Sequence, residues 1–511
     1  MEDDWATEYH VHVDVLVPTS PSLKAKAKVA PRPESIWAPK SIAIPLNYIC
    51  IGILITLPNA YIEYFPRQLQ ASDAQLSTIS VVRNLPWMFK VLYGVLADVY
   101  PIRGLRFKPY MVLGYLIASL FHGILALCTS SLSVVSFTLL LFGAMLGLIM
   151  TDVMADALLT SRAMHEPPSQ RGQVQSTIYM IRFLTEMVGY WAGSILSNLE
   201  TWGWGLSMSG CFGLLALLPF VLAIPSIYVL DEPLVAQVLT VHEQLQGIWK
   251  MLQLRATWQP LSFLVLYHTL HTYNAAWGNF LTVAYNFNAF QYGSMAAIGS
   301  SVGFAGVYIY RRYLLAGGHW RFVYAFASVV IAFFSVCNLL LVFRINESLG
   351  IPPYWFALGD TAVQKFAVGL QYLPSAIMFV RVCPEGQEAV AFALLTGFSN
   401  MSGGFASTIS NALLGLWPVQ LEDMVGGNYD GVWKLTLLTS LIRLGALPFI
   451  PWLVPNSVDE LDAWKSPHMA SRKAGTVIIA VYLFGFVWVI ATSLLAIIAP
   501  CHRLVGGAGC P

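Results

Sequence analysis

Charged residues stand inside apolar stretches of this chain at spacings that bring them together. Arg83 and Lys90 are seven apart, Asp152 and Asp156 four apart, Arg182 and Glu186 four apart, and Asp360 precedes Lys365 by five. On an α-helix, residues four or seven apart share one face. A charge at mid-bilayer costs about 2.5–3.5 kcal/mol even on lenient insertion scales, so each one asks for a partner or a task. Arg182 and Glu186 can satisfy each other within one helix. Asp152 and Asp156 cannot, because like charges on one face repel, and this makes them the first candidates for exchanging a proton. Glu186 and Asp360 are the further candidate proton-coupling acids. Asp360 neutralising Lys365 is the plain structural role for that pair.

A second group sits between residues 84 and 110, NLPWMFKVLYGVLADVYPIRGLRFKPY. Gly94 lets another helix approach closely, and Asp98 four residues later can accept hydrogen bonds from arginines or from a neighbouring helix N-terminus. The turn that follows carries Arg103 and Arg106. Gly94, Asp98, Arg103 and Arg106 are therefore the candidate gate, an acid and a basic turn that latch one end of a bundle.

The elements that must position these groups are membrane helices. Of 511 residues, 57% are hydrophobic and 11% charged, whereas soluble domains carry roughly 25% charged residues. Apolar runs of the ~20 residues needed to cross a bilayer recur along the chain. The pattern predicts spans over about 42–62, 75–98, 109–128, 132–157, 173–197, 206–229, 258–285, 293–311, 322–343, 357–380, 388–416, 432–454 and 475–499. The fold class is an all-α polytopic membrane protein, two six-helix halves plus an extra C-terminal transmembrane helix. Domain boundaries follow: a cytoplasmic tail over 1–40, the first half over 41–229, a linker over 230–257, the second half over 258–455, a cytoplasmic loop over 456–474, the extra helix over 475–499 and a tail over 500–511.

Lysine and arginine set the orientation. With the N-terminus in the cytoplasm, nineteen of the 28 lie in cytoplasmic segments, six lie within spans, and only Arg67, Arg344 and Arg503 lie outside. In the linker, Leu234, Val238, Val241, Leu245, Ile248 and Leu252 recur at steps of four and three, the pattern of an amphipathic helix lying on the inner membrane surface. A soluble linker helix is the plainer reading. Gly143-x-x-x-Gly147, Gly189-x-x-x-Gly193 and Gly299-x-x-x-Gly303 suit close helix packing. Of seven cysteines, Cys501 and Cys510 are the pair placed to bond. No metal spacing appears, His268 and His271 included, and no cofactor is expected. Asn346-Glu347-Ser348 is a glycosylation sequon in an expected outer loop. A net charge of +1 implies no nucleic-acid partner.

Three stretches resemble the folate–biopterin transporter family, a branch of the major facilitator superfamily. They are Pro86-Trp87-x-x-Lys90 with Gly94-x-x-x-Asp98 and the turn to Tyr110; Asp152-Val153-Met154-Ala155-Asp156-Ala157 with Arg162-Ala163 and Gly172-x-x-Gln175-Ser176; and Cys383-Pro384-x-Gly386-x-Glu388 with Ala391, Leu394 and Asn400. The likeness runs from about Pro39 to Pro455. It departs from the family at Val91, where proline is usual, and at Ser161, where an acid is usual. The resemblance implies a carrier that imports folate, biopterin or related pteridines by alternating access, coupled to protons, monomeric, with the plasma membrane as its site. It further implies substrate-binding cations for the folate tail and amide or aromatic groups for the ring. Arg83, Lys90, Lys365 and Asn274 are the candidates, with Asn59 and Tyr61 added by position. A carrier of another small metabolite and a non-transporting scaffold or receptor are the alternatives. An intramembrane aspartyl protease is excluded by residue type and order: Gly359-Asp360 lacks the first glycine of that motif, and Tyr429-Asp430 comes after it rather than before.

Overall fold

In the computed structural model of the chain, the described residues are 36–510 without 70, 72, 165, 167–171, 236–239, 288, 316–317, 385–386, 500 and 508. Most of the expected tail over 1–40 thus lies outside the described residues. Among the described residues every regular element is a helix, apart from one bridge between Ile102 and Leu105 that closes the basic turn. The spans run, in order, over 43–68, 73–99, Lys108–Leu127, Val134–Met164, Gln173–Leu196, 208–229, 255–285, 289–314, 320–342, Pro353–Val382, Glu388–Leu413, 430–453 and Arg472–Ile498. Among the described residues eight helices, belonging to the first, third, fourth, sixth, ninth and last three spans, are long and apolar enough by length and composition to cross a membrane. Buried charge is divided between the two sets: Lys90, Asp98, Arg182 and Asp360 stand in the other five, and Asp152, Asp156, Glu388 and Arg443 in these eight.

Two breaks have readable causes. In the second span Pro86, which lacks a backbone N–H, starts a 3-10 turn over Leu85–Phe89 before the α-helix resumes at Lys90. The seventh stops at Leu270 and restarts at Trp277. Between them, Ser410 Oγ accepts from Tyr273 N at 3.0 Å, Arg443 Nε donates to Thr272 O at 2.9 Å, and Asn274 bonds Thr436 Oγ1 at 2.9 Å and Ala276 N at 3.0 Å. Side chains of neighbouring helices thereby replace the missing helical bonds, as irregular backbone at membrane depth requires. Starts are secured from a distance: the Glu232 carboxylate accepts from the backbone N–H groups of Arg106, Phe107 and Lys108 at 2.6–2.9 Å, and Glu166 does the same for Gly172 and Val174 at the fifth span. Burial pushes the Glu166 carboxyl up from its ordinary range, while those N–H groups pull it the other way.

Glycines set the closest approaches. Gly147 meets the Gly114 carbonyl of the third span, Gly193 the Leu57 carbonyl of the first, and Gly303 packs against Gly369 of the tenth. Gly299-Ser300-Ser301-Val302-Gly303 has the lettering of a hydrolase nucleophile elbow. It lies mid-helix, however, with Gly299 against Thr361 and Lys365, and is a packing seam.

Two seams join the halves. The fifth and eighth spans touch along their length, from Arg311 Nη2 donating to Thr177 Oγ1 at 2.8 Å, through Trp191 Nε1 to Ser301 Oγ at 3.2 Å, to Gly293 beside Ser194. The second and eleventh meet closely at the end bearing the basic turn and part towards the other. The linker helix is shorter than expected, Val241–Gln253, with a capping box between Thr240 and Glu243. Its face is a correction as well: Gln244, Ile248, Met251 and Leu252 are buried against the bundle, while Val241 and Leu245 are exposed.

The sequon expectation also changes. Asn346 is fully buried, its Nδ2 donating to Ile351 O at 3.1 Å, so an oligosaccharyltransferase cannot reach it in the folded chain. Asn346→Gln should leave electrophoretic mobility unchanged in a glycosylating host, with or without endoglycosidase. A mobility shift lost in that variant would show that this loop is remodelled.

Candidate functional site

At the basic end the second and eleventh spans are latched. A Cβ on Gly94 would lie 2.7 Å from Val390 Cα and 2.8 Å from the Ala389 carbonyl oxygen, so only glycine allows this approach. Asp98, buried at the foot of the second span, pairs with Arg106, and its other oxygen accepts from Val390 N at 3.2 Å. Arg106 Nη2 also stands 3.6 Å from Glu388 Oε2. Three of the four expected gate residues, Gly94, Asp98 and Arg106, therefore work together. Arg103 does not: it is exposed, takes a positive φ of 55°, and forms the turn rather than the latch. Glu388 replaces it in the latch, a role invisible without the neighbouring helix.

Deeper in the first half, charges from three spans converge. Lys90 Nζ lies 2.6 Å from Asp152 and 3.0 Å from Asp156. Arg182 Nη1 reaches Asp152 at 2.8 Å while its Nε donates to Glu186 at 3.0 Å. The hydroxyls of Tyr48 and Tyr179 donate to Asp156 Oδ1 at 2.6 and 3.4 Å. Trp87 lies beneath both cations, with Lys90 Nζ 4.9 Å and Arg182 Cζ 5.7 Å from its ring centre. Asp152 and Asp156 thus share cations rather than standing opposed, which corrects the expectation that they leave each other unsatisfied. Lys90 is a structural counter-ion as well as a cavity residue.

Two connected cavities lie between the halves. One, of about 400 Å³, is lined by Lys90, Asp156, Arg182 and Glu186 from the first half and by His268, Lys365, Tyr372 and Thr396 from the second. The other, of about 630 Å³, rises from Trp87, Ser399 and Asn400, which line both, towards Glu63, Leu76, Gln420 and Gly506 at the far end. Its walls mix asparagines and serines with aliphatic side chains and glycines, and carry the rings of Trp87 and Tyr273. The latch closes one end of this site, and both cavities lie above it.

Lys365 is the exception among the charges. It projects into the central cavity and, among the described residues, makes no ion pair or hydrogen bond. Asp360, expected to neutralise it, instead accepts from Asn338 Nδ2 at 2.9 Å and Gln364 Nε2 at 2.8 Å. It lies outside the walls of both cavities. Arg83 lies outside both too and donates to Ile55 O at 2.9 Å; the 3-10 turn rotates it away from Lys90, undoing the shared face that a continuous helix implied. Asn274 braces the break in the seventh span, Tyr61 Oη donates to Leu206 O at 2.9 Å, and Asn59 lines neither cavity. No group of three metal-ligating side chains occurs among the described residues.

The BT1 family model matches residues 52–471. The chain is 24% identical over 413 residues to the folate-biopterin transporter of Synechocystis sp., covering 80% of each. It is 25% identical over 422 residues to probable folate-biopterin transporter 5 of Arabidopsis thaliana, covering 79% of this chain and 81% of the relative. It is 22% identical over 384 residues to folate transporter 1 of Plasmodium falciparum, covering 75% and 73%. Among solved structures, the human organic anion transporter MFSD10 superposes with a TM-score of 0.57 at 11% identity, covering 81% of this chain and 99% of that one. The inward-facing, occupied form of a bacterial homolog of the human lysosomal transporter Spinster gives 0.54 at 13% identity, covering 82% and 97%. These likenesses establish the major-facilitator-like fold.

Removing one partner of a buried ion pair costs about 3–5 kcal/mol, because the other is left charged in a low dielectric. Lys90→Met should therefore lower the thermal midpoint in detergent by several degrees. Adding Asp156→Asn should recover much of the loss. Additive losses in the double variant would show that the five charges do not act as one unit.

Proposed function

The chain belongs to the BT1 family, and from that premise we propose that it carries folate, biopterin or closely related pteridines across a membrane by alternating access, with a proton moving alongside. It is an integral multi-pass transporter, not an enzyme. The observation that carries the substrate reading is Lys365, an unpaired cation in a cavity where the other cations are already paired. An unpartnered ammonium on a cavity wall favours an anionic ligand group, here the folate carboxylate tail. Trp87, Tyr372 and Asn400, around the junction of the two cavities, offer ring faces and amide groups for a flat heterocycle.

Coupling follows from charge. Lys90 and Arg182 face Asp152, Asp156 and Glu186, so the cluster is one negative charge in excess when all are ionised. An arriving anion meets that excess; a proton on one acid removes it. Proton and anion then favour each other's binding, and the favour is reciprocal. Asp152 is held by two cations and is the poorest proton carrier of the three. Asp156, on the cavity wall, and Glu186, whose side chain is 21% exposed, are better placed. With the basic end in the cytoplasm, as the lysine and arginine distribution favours, the cavities face outward, and an inward proton gradient drives import. A monomer in the plasma membrane suffices for this cycle.

Radiolabelled folate and biopterin uptake, with and without an inward proton gradient, tests the reading; uptake of neither overturns it. Losing a charged partner costs about 1.5–3 kcal/mol, about ten-fold or more in affinity. Lys365→Gln should therefore weaken folate by that factor and leave uncharged biopterin nearly unchanged. Equal losses would assign Lys365 to folding or gating. Asp156→Asn and Glu186→Gln should each reduce gradient-driven accumulation while sparing substrate exchange. Accumulation undiminished in both would remove these acids from coupling.

A further inference from the structure

The family match ends at residue 471 and the thirteenth helix begins at Arg472. This helix lies along the seam between the second and eleventh spans, where they part around the upper cavity. Its contacts with the eleventh are many and interdigitated. Gly485 leaves room for the Met401 thioether, Val489 fills the space over Gly404, the Tyr482 ring centre is 4.5 Å from that of Phe398, and Trp488 Nε1 donates to Thr408 Oγ1 at 3.0 Å. It also packs along Asp73–Asn84 of the second span, and at that span's junction Tyr482 Oη donates to Met88 O at 3.3 Å and the Phe486 ring centre lies 5.7 Å from that of Phe89. Beyond the helix, the Cys501–Cys510 disulfide closes a loop that turns back over the cavity. Val489, Val505 and Gly506 form part of the cavity wall, and Gln420 Nε2 donates to Gly506 O at 3.3 Å.

Two consequences follow. A cavity between splayed helices opens sideways into hydrocarbon unless something fills the gap, and lipid cannot satisfy the serine and asparagine groups on its wall. This helix and its disulfide-closed tail occupy that gap. Secondly, a rocking cycle must change the distance between the second and eleventh spans at this end, and a helix packed on both cannot keep both sets of contacts. The set with knob-in-groove fit to the eleventh is the one that survives.

We propose that residues 472–499 and 501–507 form the lipid-side wall of the entry cavity and travel with the second half, while the second span slides along the Tyr482–Phe486 face in each cycle. The inference rests on the carrier reading but not on which pteridine is carried.

Two cysteine pairs in the full chain test it, each linked with a short bifunctional thiol reagent so that the native disulfide stays intact. F89C/F486C ties the helix to the second span; M401C/G485C ties it to the eleventh. Uptake is measured on one preparation before and after linking. The first link should lower uptake about ten-fold or more and the second should leave it within about two-fold, since only the first blocks a change between states. Full uptake after the first link, or an equal block by the second, would overturn the proposal. If F89C alone stops uptake, the M88C/Y482C pair takes its place and is read the same way. Absence of uptake before any linking counts against the carrier reading instead.

Discussion

Burying five charges in one place is the constraint on which the first half depends. Each ion alone would cost several kcal/mol to desolvate, and the cost is met only when opposite charges arrive from different helices with good geometry. Lys90 comes from the second span, Asp152 and Asp156 from the fourth, Arg182 and Glu186 from the fifth, and Tyr48 from the first. No subset of these helices can shift without stranding a charge. Four inner spans are thereby locked into one body, while the third and sixth, on the outside, carry no charge within their apolar stretches. The cluster works as a rivet, and its location on the cavity wall makes it chemically available.

A rigid first half changes what the seams can do. The second half has its own internal bonds, with Asp360 held by two amides and Arg443 by the broken seventh span. Motion between two such bodies is concentrated at their interfaces. The fifth–eighth seam is filled from end to end, whereas the second–eleventh seam is tight at one end and hollow at the other. Its tight end relies on few contacts: one glycine approach, the Asp98–Arg106–Glu388 charge group, and one backbone N–H to a carboxylate. In the proposed cycle these contacts would form and break together as the helices part.

Helix positions were largely legible because bilayer thickness imposes a length on apolar runs, and the observed spans fall within a few residues of the expected ones, apart from longer ends on spans such as the fourth. Family membership was legible from motifs at the second span, the fourth and fifth, and the eleventh. What periodicity could not supply was the partner across space. Asp152 and Asp156 read as a repelling pair because the sequence shows one helix at a time, and Lys90 and Arg182 become their counter-ions only after packing. Arg83 was placed beside Lys90 by assuming an unbroken α-helix across Pro86, although a proline with a following tryptophan was reason to expect altered winding. Glu232 and Glu388 belong to loop and helix-start positions, where a carboxylate reads as solvated until its target N–H or guanidinium is known.

The division of charge between the halves has one further consequence. If the first half holds an excess acid and the second half a lone ammonium, attraction across the empty cavity pulls the two together whenever nothing lies between them. In the proposed coupling, a dianionic substrate such as folate at Lys365 more than cancels that attraction and, with the cluster ionised, replaces it by repulsion from Glu186 and Asp156. A proton on the cluster removes the repulsion in turn. Closure around the loaded site is therefore least opposed when anion and proton are both present, and closure around an empty, unprotonated site is favoured by the bare pair itself. An anion without a proton is the opposed state. Coupling in this arrangement needs no direct contact between proton and substrate, only a shared cavity of low dielectric in which the sum of charges decides whether the two halves can approach.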